Sequence, residues 1–537
     1  MEIRSSSVYP NFNNENKVIK YFEMYTDNQR KYICNKYKSK RILTYKVWEN
    51  LESNNITFIS GIRRVGKSVL LTQICDELVL SGKHAIIIDA QLMLSVFGDS
   101  IDYYTLFTLI KDSGYNYVLF DEICKIPDAS YFGNAIRNFS NSINFILTGS
   151  SKVGVEKVFN SSGRGVIYTI TDWTYLEKLL LSKATSLHSC PYRFNQLSDL
   201  TNLVSKDSVD EFLYYSNSDE LIQYIKSCIE DTLESNIRRH FTVIDDLEIR
   251  EIKAMLELIS YSQILELDSS LKSITSRKYF NKLYSYIIHS IQGTVLEDVD
   301  VKQTIDKALS DTSPFEYNIN NILSTIGKKR VSSILRFLIA CGLVDVQIKY
   351  GDNHVSLYEL IEECKFNQLS IITKHRSLTI NIFKRALEIV LGVLKLPVHY
   401  PSNIELMTDD RLNLKGDLLE SYIYSTLSDL LPDENVTKFR DESQREIDLL
   451  ICRYIRFGLE IKNRKTLNNS KTYIKGQLNL KNELGLKSFA MTTIDCTQIY
   501  ENVKFINVGE LIAYLDSLIL ETNYDTIVNK LFITSSI

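Results

Sequence analysis

Eight residues constrain this chain more than any others. Residues 56–60 (ITFIS) form a short apolar run of strand type, and residues 61–68 (GIRRVGKS) follow at once. This is the G-x-x-x-x-G-K-[ST] pattern set between a strand and a helix. Gly61 and Gly66 let the backbone take conformations that a Cβ would obstruct, so successive N–H groups can turn inward around phosphate oxygens. The expected cradle runs through Ile62, Arg63, Arg64 and Val65, with Lys67 reaching the β and γ phosphates and the Ser68 hydroxyl ligating magnesium. Val69 and the apolar positions Leu70, Ile74 and Leu78 continue into a helix whose N-terminus favours phosphate charge. The ligands implied are ATP and Mg2+.

Downstream residues complete such a site. Residues 85–89 read as a second strand, and residues 117–120 as a third, ending in Asp121 and Glu122. Asp121 would hold the magnesium through water, and Glu122 would polarise the attacking water. A further strand at 144–147 ends in Thr148, Gly149, Ser150 and Ser151. Ligands of a parallel α/β sheet bind at the carboxyl ends of its strands, which sets these hydroxyls, Ser150 included, near the γ phosphate. Apolar strands separated by helix-length stretches fit right-handed βαβ units, hence an α/β fold.

The sequence here resembles bacterial and archaeal AAA+-like P-loop ATPases that carry a C-terminal domain of restriction-endonuclease-like fold. The resemblance rests on GIRRVGKS with its paired Arg63 and Arg64, on LFDEI at 119–123, on LTGSS at 147–151, and on SGRG followed by YTITDWTYLE. It spans residues 40–180 and returns near the C-terminus. The family places a Gly-Arg pair shortly after the sensor strand, and Gly163 and Arg164 match it. The resemblance therefore implies that Arg164 acts near the γ phosphate, either as an arginine finger for a neighbouring subunit, which needs a homo-oligomer, or within its own chain.

At 537 residues the chain exceeds one hydrophobic core, so several modules are expected. With 44% hydrophobic and 24% charged residues it has globular composition. Its 62 Lys and Arg against 66 Asp and Glu give a formal charge of −4, which neither supports nor excludes a nucleic-acid partner. No apolar run approaches the roughly 18 residues that span a bilayer, and the first residues lack a signal pattern, so a soluble, cytoplasmic protein without a membrane partner is expected. The 9 cysteines are dispersed without a C-x-x-C pair, and the 7 histidines show no H-x-x-x-H spacing, against a disulfide framework or a structural zinc site.

Residues 180–310 read as mainly helical, with 220–240 and 247–264 at helical spacing. Next, Val331, Ile334, Leu335, Leu338 and Ile339 form a helical apolar stripe. Strand-like runs at 343–350 and 355–360 follow, separated by Gly351, Asp352 and Asn353, and this succession predicts a winged helix. Lys328, Lys329, Arg330 and Arg336 on its helix suit DNA phosphates; otherwise the module packs between domains and the cations are solvated.

Near the C-terminus a second chemistry is spelled out. Residues 415–431 read as an amphipathic helix carrying Glu420, and Asp448 on one strand is followed by Glu460-x-Lys462 on the next. That is the spacing of a PD-(D/E)xK core. Glu460 and Lys462, two apart, project from one face with Asp448 across the hairpin. Glu420, Asp448 and Glu460 supply oxygen ligands for Mg2+ or Mn2+, and Lys462 would orient the attacking water and offset developing charge. The resemblance implies the same series in the same order.

The expected organisation is thus an N-terminal helical segment (1–52), a P-loop AAA+-like ATPase domain on a parallel sheet (53–180), a helical region (181–315), a winged-helix-like module (316–405) and an α/β PD-(D/E)xK nuclease-like domain (406–537). One function that follows is ATP hydrolysis coupled to metal-dependent cleavage or binding of DNA. The alternative is a regulatory ATPase switch that binds a protein or DNA without cutting.

Overall fold

The computed structural model describes residues 15–213, 251–260 and 313–535, apart from 54, 62–64, 98–101, 151, 182–185, 205–208, 210–211, 252–253, 257, 341, 349–355, 366–368, 375, 395–413, 433, 435, 441–444, 467–470, 502 and 522. The described residues fall into two compact units: those up to Arg193 together with Ile519–Glu521, and the remainder.

The first unit is built on a five-stranded parallel sheet. Its strands are β1 (Ile56–Gly61), β2 (Ala85–Asp89), β3 (Tyr117–Asp121), β4 (Asn144–Gly149) and β5 (Val166–Ile170), in the order β2-β3-β4-β1-β5. The four strands expected from apolar runs therefore stand where the sequence put them. They read as continuous apolar stretches because both faces of a parallel sheet are covered by its crossover helices. The crossovers carry α3 (Lys67–Leu80), α4 (Ala90–Phe97), α5 (Tyr103–Asp112), α6 (Ala129–Phe139) and α7 (Lys152–Ser162), while α1 (Glu15–Lys36) and α2 (Ile42–Asn50) precede β1 and α8 (Tyr175–Leu179) follows β5. Aspartates start two of them: Asp102 accepts the N–H of Tyr104 before α5, and Asp128 that of Tyr131 before α6. Phe58, Ile88, Phe120 and Phe145 join Phe107 and Phe132 of α5 and α6, Val155 of α7, and Val18 and Phe22 of α1 in one core. The N-terminal helix is thus a layer of this unit.

The insertion of β4 between β1 and β3 positions the site. It brings the end of β4 between the P-loop, which leaves β1, and the acidic pair that ends β3.

In the second unit, α9 (Ser313–Ile326) and α10 (Lys328–Ala340) precede β6 (Val344–Ile348). The expected wing is not formed as the apolar runs suggested. The segment after Val355 is α11 (Leu357–Glu362), opened by a capping box in which Ser356 accepts the Glu359 N–H and the Glu359 carboxylate accepts that of Ser356. The partner of β6 is instead β7 (Leu369–Thr373), paired antiparallel from Val344↔Thr373 to Ile348↔Leu369. A local S-x-x-E helix signal outweighs the strand reading of a short apolar run. The turn residues Gly351, Asp352 and Asn353 lie outside the described residues, as does most of the expected helical region.

After α12 (Arg376–Leu394) comes α13 (Leu414–Leu430), then a mixed sheet of β8 (Val436–Arg440), β9 (Glu446–Ile451), β10 (Phe457–Glu460), β11 (Ser488–Thr493), β12 (Gln498–Tyr500) and β13 (Val503–Asn507), with α14 (Lys471–Glu483) between β10 and β11. The order is β12-β13-β11-β10-β9-β8, antiparallel in the β8-β9-β10 and β12-β13 pairs and parallel through β10-β11-β13. Ile447, Ile474, Phe489, Met491 and Phe505 pack in its core, and α15 (Val508–Ser517) and α16 (Tyr524–Ser535) complete the chain. Among the described residues no helix is long and apolar enough to cross a membrane.

Candidate functional site

The P-loop is described at its two ends; Ile62, Arg63 and Arg64 lie outside the described residues. Gly61 is required by packing, since a Cβ there would stand 2.2 Å from the Ile170 carbonyl oxygen on β5. Gly66 is required by conformation, with φ of 98° at the N-terminus of α3 and open space where a Cβ would stand. No side chain caps α3 at Gly66, which leaves its first N–H groups facing the loop. Lys67 is buried, and its ammonium donates to the Gly61 carbonyl at 2.9 Å, so the charge lies inside the loop it would share with phosphate oxygens.

Across β4 from the P-loop lies a linked set of hydroxyls and carboxylates. Thr148 donates its hydroxyl to Asp121, and the same oxygen accepts the Glu122 N–H at 3.3 Å. The Ser68 side chain is near enough to Asp121 to favour its charged form. Ser150 donates to the Glu122 carboxylate at 2.7 Å. Burial pushes the Asp121 carboxyl above its ordinary value, with Ser68 and Thr148 pulling it back and the neighbouring charges of Glu122 and Asp89 adding to the rise. A divalent cation fits such a dry carboxylate, held beside the Thr148 hydroxyl. Glu122 itself has a left-handed backbone, φ 57° and ψ 48°, uncommon for a non-glycine residue and of a kind that concentrates at functional sites. Gly61, Gly66, Lys67, Ser68, Asp121, Glu122 and Ser150 thus lie together at the carboxyl end of the sheet. Ser151 lies outside the described residues.

Arg164 is elsewhere. It lies two residues before Val166, whose partner is Thr57 near the start of β1, and its Nη2 donates at 2.8 Å to the Arg137 carbonyl close to the end of α6. That is the opposite end of the sheet from the P-loop, ~13 Å along the strand at about 3.3 Å per residue. Arg164 is thus not brought together with the P-loop of its own chain.

Arg41 belongs to none of the sequence motifs. It precedes α2, is buried, and spends its guanidinium on the Glu177 carboxylate (2.8 Å), the Val65 carbonyl in the P-loop (2.9 Å) and the carbonyls of Thr171 (3.1 Å) and Asp172 (3.0 Å) beyond β5. The visible signal was on the other partner: Thr174-x-x-Glu177 is a capping box, and it opens α8.

In the second unit, Asp448 on β9, Glu460 on β10 and Lys462 come together. Lys462 Nζ lies 3.2 Å from Asp448 and 2.6 Å from Glu460. Burial works against that ammonium, yet the two carboxylates win and hold its pKa above the usual lysine value. Asp448 also accepts the Ile461 N–H at 2.8 Å, so its side chain takes up the backbone donor where the ladder of β10 ends. Tyr473 on α14 donates to Glu460, while the second Glu460 oxygen, Oε2, is buried with no hydrogen-bond partner among the described residues. Glu420 on α13 is buried and pairs with Lys438 Nζ at 2.7 Å. Among the described residues no group of three or more His, Cys, Asp and Glu is drawn together as a metal site. The expected DNA-facing cations divide. Arg330 bonds Glu251 at 2.8 Å, and Arg336 pairs with Glu362 while stacking on Tyr358, whereas Lys328 and Lys329 are exposed.

Residues 53–178 match the family model of the AAA domain. No curated protein matches the chain. Similar solved structures include AMPPCP-bound DnaA from Aquifex aeolicus, at 17% identity over 55% of this chain and 90% of that one with a TM-score of 0.23. Another is a replication initiator DnaA bound to AMPPCP and single-stranded DNA, at 16% identity over 56% and 92% with a TM-score of 0.23. C. elegans PCH-2 is similar at 14% identity over 38% and 51%, with a TM-score of 0.21. Overlaps this low leave the assignment to the family model and to the geometry. The match falls on the segment that carries the P-loop, the acidic strand end and the hydroxyls between them: residues 53–178 are an AAA domain of the P-loop ATPase class.

Proposed function

We propose that this chain binds and hydrolyses ATP at the edge formed by Gly61–Ser68, Asp121, Glu122 and Thr148. The observation that carries the reading is the Thr148 hydroxyl, which ties Asp121 and the backbone of Glu122 into one unit at the end of β4. Lys67 gives up the Gly61 carbonyl for phosphate oxygens, and the N–H groups of Val65, Gly66, Lys67 and Val69 line the phosphate chain. Ser68 and, through water, Asp121 would hold a magnesium ion, which would offset charge on the phosphate oxygens. Glu122, released from Ser150, orients and deprotonates water for attack on the γ phosphate. Arg164 belongs to the neighbouring site of a homo-oligomer. Steady release of phosphate from Mg-ATP that is lost on Lys67→Ala tests this reading, and native mass measurement with ATP tests the oligomer.

A second reading concerns the other unit: metal-dependent phosphodiester cleavage at Asp448, Glu460 and Lys462. Its support is Glu460 Oε2, buried with no hydrogen-bond partner among the described residues, on a carboxylate that shares Lys462 with Asp448, oxygen donors that suit Mg2+ or Mn2+. Such an ion supplies electrophilic assistance at the phosphate. Glu420 contributes a third carboxylate once Lys438 yields, and Lys462 holds the attacking water. DNA is the substrate this chemistry suits, with Lys328 and Lys329 as phosphate contacts. Plasmid nicking with either metal, lost on Asp448→Ala, supports this reading. DNA or protein binding without nicking instead assigns the unit to docking.

A further inference from the structure

Arg41 and Trp173 stand beside the P-loop with no part in phosphate chemistry. The Arg41 guanidinium is neutralised by Glu177, so it is not a free cation for phosphate. It instead ties the Val65 carbonyl of the P-loop to the chain leaving β5 and lies over the Trp173 ring, 4.7 Å from its centroid. Trp173 is half-buried.

The sheet order says what should pass there. Asp121 and Thr148 end β3 and β4, on one side of β1, and this is the side of the γ phosphate and its metal. A phosphate chain that has its terminal group on that side leads away across the loop, so the ribose and base leave toward β5, on the other side of β1. Beyond the end of β5 come Thr171, Asp172 and Trp173. We infer that the Trp173 indole is the platform on which the base of the bound nucleotide stacks, with Arg41 fixing the ring and the P-loop to each other. This rests on the nucleotide reading above. The arrangement is preorganised: Arg41 makes its bonds without ligand, so the ring is already held and little ordering cost falls on binding. Aromatic stacking tolerates any base, since each has a π face.

The chain has 2 tryptophans, which makes the inference directly readable. The other, Trp48, packs edge-on against His188 at 5.5 Å, and Trp48→Phe retains an aromatic ring there while leaving Trp173 as the sole tryptophan, read by excitation that spares tyrosine. The full-length Trp48→Phe protein is titrated with Mg-ADP and, separately, with inorganic tripolyphosphate, while calorimetry follows binding independently. ADP is expected to change the Trp173 emission with a midpoint at the calorimetric Kd, and tripolyphosphate to bind without changing it. Trp173→Leu, checked for folding by circular dichroism, should weaken ADP roughly 5- to 150-fold, the range for loss of one base–aromatic stack, and leave tripolyphosphate binding unchanged. Should Trp173→Leu fail to fold, the fluorescence comparison decides alone. ADP binding without any emission change, or an equal loss of both ligands in the folded variant, overturns the stacking platform and leaves the P-loop reading intact. Failure of the folded wild-type protein to bind either ligand removes both.

Discussion

Thr148 donates its hydroxyl to Asp121 on the adjacent strand and accepts the N–H of Glu122 on the same oxygen. A single fully buried hydroxyl thus sets the position of both acidic residues. Thr148→Val keeps the shape and removes both bonds. Leaving buried partners unsatisfied should lower stability by about 1–3 kcal/mol. Misplacing Glu122 should cost ATP turnover on the order of 10²-fold. Urea unfolding and phosphate release measure the two, and ADP affinity, which depends on the P-loop, should stay near wild type.

The two P-loop glycines should fail in different ways. Gly61→Ala drives a methyl into the Ile170 carbonyl and forces β1 from β5, so overpacking should cost about 1–3 kcal/mol of stability. Gly66→Ala meets no neighbour and carries only the strain of its left-handed backbone, about 1–2 kcal/mol. Its larger effect should be on nucleotide binding, as the turn that aims the loop relaxes. Thermal melting beside ADP calorimetry separates the two.

Arg41→Met removes the cation from a buried pair and leaves Glu177 with backbone N–H donors from Ile42 and Thr174. Breaking one side of a buried ion pair typically costs about 3–5 kcal/mol, and the surviving donors should hold the loss near the lower end. Chemical denaturation of wild type and variant checks this. A cost below the uncertainty of the extrapolation would mean that Arg41 does not brace the loop.

In the second unit, Tyr473→Phe removes the hydroxyl that holds one Glu460 oxygen and leaves the packing of α14 in place. Mn2+ affinity, read by calorimetry, should fall several-fold, with the Lys462 pair intact. Any nicking activity should fall with it, whereas Lys462→Ala should abolish nicking while metal still binds.

The strands and the P-loop were legible because each is a local pattern: an apolar run bounded by glycine, or carboxylates at a strand end. The sequence named Asp121, Glu122 and Ser150 for the same reason. It could not show that Thr148 joins Asp121 to Glu122, because that depends on β4 entering the sheet between β1 and β3. Nor could it place Arg164, whose proximity in sequence to the sensor strand conceals a full strand length of separation. Arg41 was invisible for a related reason: its partners Val65, Thr171 and Glu177 are dispersed in sequence and converge only in the folded sheet. The wing failed where two local signals competed, the Ser356–Glu359 capping box against a short apolar run. Asp448, Glu460 and Lys462 were found by spacing, yet the pairing of Glu420 with Lys438 needed the β8-β9 hairpin.

The most direct measurement is phosphate release from Mg-ATP by the full-length protein, wild type beside Lys67→Ala and Glu122→Gln. Hydrolysis by wild type, loss of both binding and hydrolysis in Lys67→Ala, and retained ATP binding without hydrolysis in Glu122→Gln are expected. Hydrolysis by Lys67→Ala at the wild-type rate, or none by a folded wild type that binds ATP, would contradict the assignment of this edge as an ATP-hydrolysing site.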